Sequence, residues 1–367
     1  MPILDKSQFI FVVCQVGAEP ALKKEIGREH PDLKFAFSRP GFITFKSATE
    51  NLPLDFCLRS VFARSYGLSM GKLGPKEGTQ KEKAEQILKW IEQRRSSSSN
   101  AIQPCLHIWE RDQYQPGEEP LGFKAGVWRD SAVQAFQTDL PINQPAKNGD
   151  LVFDVILVEE DEWWCGVHQH NSDHSAFPGG NPIIPLHPDA PSRAYVKFEE
   201  ALLWSGAPIR SGDVAVEVGS APGGASFSML QRGLSVVGID PAKMDPIVAR
   251  SKSFQHIQRP VASVLREELP ETVHWFLMDM NVAPAVSIFA VDRLATRLRE
   301  SLLGVLLTVK LNQWKLADEI PSILEHVRVM GMAQVKATQL PSNRQEIFIY
   351  GITRKGLARK QRRIPSI

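Results

Sequence analysis

Cysteine is scarce in this chain. Cys14, Cys57, Cys105 and Cys165 are the only four in 367 residues, with no C-x-x-C pair. They stand about forty or more residues apart, which excludes a zinc knuckle and a dense disulfide framework and fits reduced thiols in a cytoplasm. Long apolar runs are missing too: the longest early one, Phe9–Val13, covers five residues behind Asp5 and Lys6. A membrane span needs about 20, and a signal-peptide core also needs more than this, so neither a membrane nor export is expected. Charge of one sign is absent, since 43 Lys+Arg against 41 Asp+Glu leave a net +2. Any contact with a polyanion must therefore be a local patch. No Walker A sequence and no G-x-S-x-G elbow occur, so phosphoryl-transfer and hydrolase readings lack their primary features.

What is present is ordinary globular material, 43% hydrophobic and 23% charged, long enough for two or three domains. Residues 1–50 read strand, helix, strand: Phe9–Val13, an amphipathic segment over 18–29, then the alternating Gly41-Phe-Ile-Thr-Phe45. This predicts a small α+β unit. Residues 51–167 mix a helical stretch at 81–95, a polar break at 96–100 and strand-like runs at 105–109 and 151–158, a second α+β domain. Prolines 178, 182, 185, 188 and 191 with Gly179 and Gly180 mark 168–191 as a linker, because each proline fixes φ and removes a donor. From 192 to 355 apolar strands alternate with helical segments, the strands falling at Val214–Val218, 234–239, 275–278 and 304–309. That alternation predicts a doubly wound, parallel, Rossmann-like α/β sheet, with chemistry beyond the carboxyl ends of its strands. A basic tail, 356–367, closes the chain; with the residues just before it, Arg354, Lys355, Arg359, Lys360, Arg362 and Arg363 form a candidate phosphate-binding patch. Lys72, Lys76, Lys81 and Lys83 are a second candidate patch.

The most informative segment is Val214–Val218 followed by Gly219-Ser-Ala-Pro-Gly-Gly224 and a helix-like 225–231. Glycines let a ligand reach the backbone, and the helix start offers free N–H groups and a positive dipole end. The dinucleotide fingerprint fails, because residue 221 is Ala and Pro222 removes a donor. A pyrophosphate cradle is thus disfavoured. Asp240, ending the next strand, is placed to accept ribose hydroxyls, so the turn and the acid together predict an adenosyl ligand. Cys165, His168, His170 and His174 are metal-ligand types, but C-x₂-H-x-H-x₃-H matches no closed zinc pattern and no metal is expected.

Glu217-Val-Gly-Ser-Ala-Pro-Gly-Gly224 and Val237-Gly-Ile-Asp-Pro-Ala-Lys-Met-Asp-Pro246 resemble the S-adenosylmethionine site of FtsJ-type RNA 2′-O-methyltransferases. Met278-Asp-Met280 and Arg344-Gln-Glu-Ile-Phe-Ile-Tyr-Gly-Ile-Thr-Arg-Lys355 look like that family's later motifs. His174-Ser-Ala-Phe-Pro178, Ala190-Pro-Ser-Arg193 and Lys197-Phe-Glu-Glu-Ala201 are similar, more narrowly, to the RlmM type that methylates a cytidine of 23S rRNA. Cys14-Gln-Val-Gly-Ala-Glu-Pro-Ala-Leu-Lys-Lys-Glu25 is similar to the opening of THUMP-containing RNA-modifying enzymes, which implies a ferredoxin-like unit over 1–50 and a THUMP-like RNA-binding domain over 51–167.

The resemblance implies a catalytic tetrad of Lys197, Asp279, Lys310 and Glu346. In it Lys310 activates the ribose 2′-OH, Asp279 positions it, and Lys197 with Glu346 orients the ribose. Glu217, Gly219, Ser220, Ala221, Pro222, Gly223, Gly224, Asp240 and Asp279 are the implied cofactor contacts. A lysine serves as base when burial or a neighbouring cation lowers its pKa to about 7–8. The chain departs from the family in having Glu217 where Asp is usual, and in lacking an acid within 256–263 to receive the adenine amino group. The alternative is an RNA-binding protein that kept the fold and lost catalysis.

Overall fold

Phe9–Val13 has no polar residue, and a strand of that kind needs partners along both edges and cover on both faces. The structure, a computed structural model, supplies them. It describes all residues except 1–5, 49–50, 75–76, 96–103, 296–297, 299 and 362–367. The chain divides into two units, Met1–Pro182 and Ile183–Ile367. In the first, β1 (Lys6–Ser7), β2 (Phe9–Val13), α1 (Glu19–Glu29), β3 (Leu33–Arg39), β4 (Phe42–Ser47), β5 (Leu52–Pro53) and β6 (Ser65–Lys72) come in order. Then follow α2 (Gln80–Arg95), β7 (Pro104–Glu110), α3 (Val127–Ala135), β8 (Leu151–Leu157) and β9 (Trp163–Gln169).

Seven of these strands make one sheet, β3-β4-β2-β6-β9-β8-β7, and β1 pairs with β5. The boundary expected near residue 50 falls inside that sheet. Ile10 of β2 faces Phe45 of β4 on one edge and Leu68 of β6 on the other, so the first fifty residues and the following hundred are stitched along one strand. They also share a core, in which Phe11, Val13 and Phe42 pack with Trp109, Ile156 and Val158. The expected linker starts within β9, at His168, and runs past the division of the two units.

The side chains bear on two groups of residues singled out in the sequence. Cys165 and His168 lie an odd number of residues apart on an unbroken strand, so their side chains leave opposite faces of the sheet and do not gather as ligands. His168 instead bonds through Nδ1 to Asp154 Oδ2 at 2.9 Å, while Trp109 donates to Asp154 Oδ1 at 3.0 Å. Among the described residues no group of three or more His, Cys, Asp or Glu is arranged to hold a metal. In the lysine patch, Lys83 is buried and donates to the Asp161 carbonyl at 2.9 Å, and Lys76 lies outside the described residues.

The second unit contains α4 (Ala194–Ser205), β10 (Val214–Val218), α5 (Gly224–Gln231), β11 (Ser235–Ile239), α6 (Pro246–Ala249), β12 (Phe254–Ile257) and β13 (Trp275–Asp279). It continues through α7 (Pro284–Ala295), β14 (Gly304–Lys310), α8 (Ile320–Val329), β15 (Gln334–Thr338), β16 (Glu346–Ile352) and α9 (Arg354–Gln361). Its sheet order is β12-β11-β10-β13-β14-β16-β15, a doubly wound Rossmann-like sheet whose order reverses between β10 and β13. Ligands of such sheets sit at that reversal, beyond the carboxyl ends. The strands from β10 to β14 are parallel, but β16 runs antiparallel to both β14 and β15. A connection as short as 339–345 allows an antiparallel return and not a crossover.

Much of the expected basic tail is structured. Arg359 pairs with buried Asp213 at 2.8 Å, Lys360 donates to the Ser205 carbonyl at 2.7 Å and Lys355 to that of Glu300. Asp213 also receives the indole N–H of Trp275 at 2.9 Å, so α9 is fastened to the core, and those three cations are engaged within the unit. Arg362 and Arg363 lie outside the described residues. No helix among the described residues is long and apolar enough to cross a membrane.

Two glycines give opposite stability outcomes. A methyl on Gly166 would run into the ring of fully buried Phe11, and overpacking of this kind destabilises by about 1–3 kcal/mol. Gly27 is exposed on α1 with open space around it, where alanine is favoured by about 0.8–1 kcal/mol. Thermal melts should show Gly166→Ala falling and Gly27→Ala rising relative to the parent.

Candidate active site

Three strand termini supply the charged part of the site. Asp279 ends β13, Lys310 ends β14, and Glu346 begins β16. Because β16 is antiparallel, its first residue lies at the carboxyl edge, where Glu346 is the direct cross-strand partner of Lys310. The fourth member comes from above the sheet, as Lys197 on α4.

The four charges form a closed ring. Lys197 Nζ lies 2.5 Å from Glu346 Oε1 and 3.5 Å from Asp279 Oδ2. Lys310 Nζ lies 3.1 Å from Asp279 Oδ1 and touches Glu346 Oε2. Each lysine therefore bridges both acids, and each acid presents separate oxygens to the two lysines. Burial by itself would raise Glu346, but the two ammonium groups outweigh it and hold its carboxyl below the usual range. For Lys310 burial favours loss of the proton, yet Asp279 and Glu346 prevail and its pKa is raised. The lowered lysine expected from the sequence is thus corrected: with two carboxylates in contact, this amine is a firmly held ammonium.

The other half of the site is the turn after β10. Gly219 has φ +78°, and a methyl there would strike the carbonyl of Asp279, so only glycine permits β10 and β13 to end side by side. Gly223 has φ +116° and caps α5, while Gly224 has no room for a side chain against the backbone at Ser192 and Tyr195. Asp240 is committed to the turn, accepting the Ala221 N–H at 3.1 Å and the Ala242 N–H at 2.8 Å.

Glu217 lies beneath, 3% exposed, receiving the Ser226 hydroxyl at 2.5 Å. Burial is the main cause that pushes its carboxyl up to about 8, reinforced by Asp279 and Asp240 and opposed by Ser226. It is mostly protonated at neutral pH.

A cavity of about 250 Å³ joins the two halves. Glu217, Gly219, Ser220 and Ala221 line one side, and Lys197, Asp279 and Lys310 line the other. Pro222, Gly223, Gly224, Asp240 and Glu346 are not in its wall; they shape the turn or hold the lysines from behind. Asn281, Thr308 and Asn343 line it as well and carry no motif in the sequence. Small side chains and reachable backbone beside two carboxyl groups suit a ligand that brings positive charge. No acid occurs over 256–263; His256 there bonds to the Asp240 carbonyl at 3.0 Å and Gln258 to that of Pro241 at 3.4 Å.

Glu217 gives a stability test. Its folded pKa lies above the unfolded value, so its contribution to stability is fully present below about pH 4.5 and is lost as pH rises through about 8. Glu217→Gln keeps an acceptor for Ser226 and removes the ionisation, so its melting temperature should exceed the parent's by a margin that grows from pH 5 to pH 8. At pH 7 the difference should be about 3 kcal/mol; a margin independent of pH would contradict the assignment.

Known proteins resemble parts of this chain. Ribosomal RNA large subunit methyltransferase M of Sodalis glossinidius is 29% identical over 194 residues, 50% of this chain and 52% of that protein. The protein of the same name from Halorhodospira halophila is 33% identical over 180 residues, 47% of this chain and 50% of the relative. The chain thus spans about half the length of the curated relatives it matches. Among solved structures, TrmN from Thermus thermophilus aligns over 94% of this chain and 99% of that one at 12% identity and a TM-score of 0.34, too slight a likeness to carry an argument. The family model for FtsJ-like methyltransferases matches residues 190–345, all of them within the second unit.

Proposed function

We propose that this protein is an S-adenosylmethionine-dependent 2′-O-ribose methyltransferase of large-subunit rRNA, acting in the cytoplasm on a cytidine of 23S rRNA. The observation that carries it is the four-charge ring, formed by Lys197, Asp279, Lys310 and Glu346 across one cavity from the Gly219 turn. The names of the relatives, methyltransferases of large-subunit ribosomal RNA, support the substrate class. The N-terminal unit is assigned to gripping RNA, its seven-stranded sheet built from a ferredoxin-like segment over 1–50 and a THUMP-like segment over 51–167; a linker over 168–191, the methyltransferase domain over 192–355 and the basic tail over 356–367 follow.

Glu217, Asp279 and the backbone of Gly219, Ser220 and Ala221 would hold S-adenosylmethionine, with Pro222, Gly223, Gly224 and Asp240 fixing the turn. When bound, it supplies the methyl group on a positively charged sulfur, open to attack by an oxygen. The chain's own task is to bring a ribose hydroxyl into line and take its proton. Lys197 and Glu346 orient the sugar, Asp279 holds the amine of Lys310, and Lys310 receives the proton from the 2′-oxygen. A hydroxyl held at attack distance gains several kcal/mol from orientation alone.

Because Lys310 is an ammonium at neutral pH, it must first lose a proton, and only a small fraction of molecules is ready at any moment. Turnover should therefore rise about tenfold per pH unit from pH 7 toward pH 9. Lys310→Ala should reduce transfer to rRNA by about a hundredfold or more while leaving S-adenosylmethionine affinity within about twofold. A radiolabelled methyl-transfer assay on protein-free rRNA, paired with calorimetry for cofactor binding, checks both. Undiminished turnover in Lys310→Ala would remove the assigned base.

A further inference from the structure

Glu346 is the most buried member of the ring, with its side chain 4% exposed, and something besides two flexible lysines must aim it. Asn343 does so directly. Its Nδ2 donates to Glu346 Oε1 at 3.0 Å, and its Oδ1 accepts the Leu340 N–H at 2.8 Å. The amide is thereby clamped at both ends, and it is 1% exposed.

One residue earlier the same segment is gripped by α4. Ser342 donates its N–H at 2.9 Å and its hydroxyl at 2.5 Å to Oε2 of Glu200. Glu200 is buried and stands three residues after Lys197 on the same helix, so the two side chains project to one side. The helix thus holds the segment at two points, Lys197 on Glu346 and Glu200 on Ser342. Glu200 takes both donors of Ser342 on one oxygen while buried, and methyl transfer has no direct use for it.

We propose that Asn343 and Glu200 are positioning residues of the ring. Asn343 fixes the orientation of the Glu346 carboxylate, and Glu200, through Ser342, fixes its distance from α4, so that Lys197 and Lys310 meet different oxygens of one acid. Their effect on rate rests on the methyltransferase reading; their effect on Glu346 does not.

The test uses the full chain with no ligand and follows the Glu346 side-chain carboxyl by carbon NMR across pH. An amide that donates to the ionised form keeps the carboxyl acidic, so in Asn343→Ala the Glu346 midpoint should rise by about half a pH unit or more. Glu200→Ala should raise it too, whereas Glu200→Gln, whose amide oxygen still accepts from Ser342, should leave it near the parent value. With rRNA and S-adenosylmethionine, Asn343→Ala and Glu200→Ala should lose about tenfold in kcat with both KM values within about twofold, and Glu200→Gln should recover most of it. An unchanged Glu346 titration in a folded Asn343→Ala protein, or equal shifts in Glu200→Gln and Glu200→Ala, overturns the proposal. If Asn343→Ala does not fold, Ser342→Ala takes its place under the same criteria. A parent protein that transfers no methyl group refutes the function, while the titration still decides the positioning.

Discussion

Everything in the catalytic half is arranged around the mutual neutralisation of two amines and two carboxylates. Opposite charges about 4 Å apart attract by about 4 kcal/mol at an effective dielectric near 20, and the ring has four such contacts with no net charge. Without it, Glu346 could not remain ionised under so much burial, and Lys310, largely withdrawn from water, would be driven toward the neutral amine. The ring in turn depends on the direction of one strand. Were β16 parallel to β14, Glu346 would begin at the amino edge of the sheet, a full strand length from Lys310. The antiparallel return makes them cross-strand partners, and α4 completes the ring from above.

The sequence made half of this visible. Asp279 and Lys310 follow apolar runs, and in a doubly wound sheet every such end lies on one edge, so their convergence was readable from alternation alone. The glycine turn was readable because the small residues at 219, 223 and 224 stand where a strand meets a helix. The direction of β16 had no comparable signal except the brevity of 339–345. Asn343 had none, and Glu200 stood only inside the Lys197–Ala201 resemblance with no role attached, for their roles come from contacts made on folding: Glu200 meets a residue 142 positions away, and periodicity reports only that it sits on a helix.

The same limit explains the first unit. Alternating apolar residues announce strands without naming their neighbours, and nothing in the pattern of Phe9–Val13 tells that β6, beyond residue 50, will flank it. Two apparent domains became one sheet for that reason. The histidine segment shows the reverse, a conclusion the sequence already contained: strand parity separates residues 165 and 168 onto opposite faces, and Asp154 then takes His168 as a buried partner.

The protonated Glu217 adjusts how the cavity's charge should be counted. The ring is neutral and Glu217, with its carboxyl pushed up to about 8, is largely neutral as well, so the cavity at pH 7 has little net field. A positive charge entering it has two consequences by Coulomb's law. It favours ionisation of Glu217, which then becomes its counter-ion, and it disfavours the ammonium form of Lys310 on the opposite wall. Both changes release a proton, and the second, the loss of the Lys310 proton, shifts the site toward the state that proton abstraction from a hydroxyl requires. A lysine kept charged by two acids while the cavity is without a cation is therefore compatible with a lysine that acts as a base once a cation is present, because the same electrostatics that hold its proton make that proton sensitive to what the cavity contains.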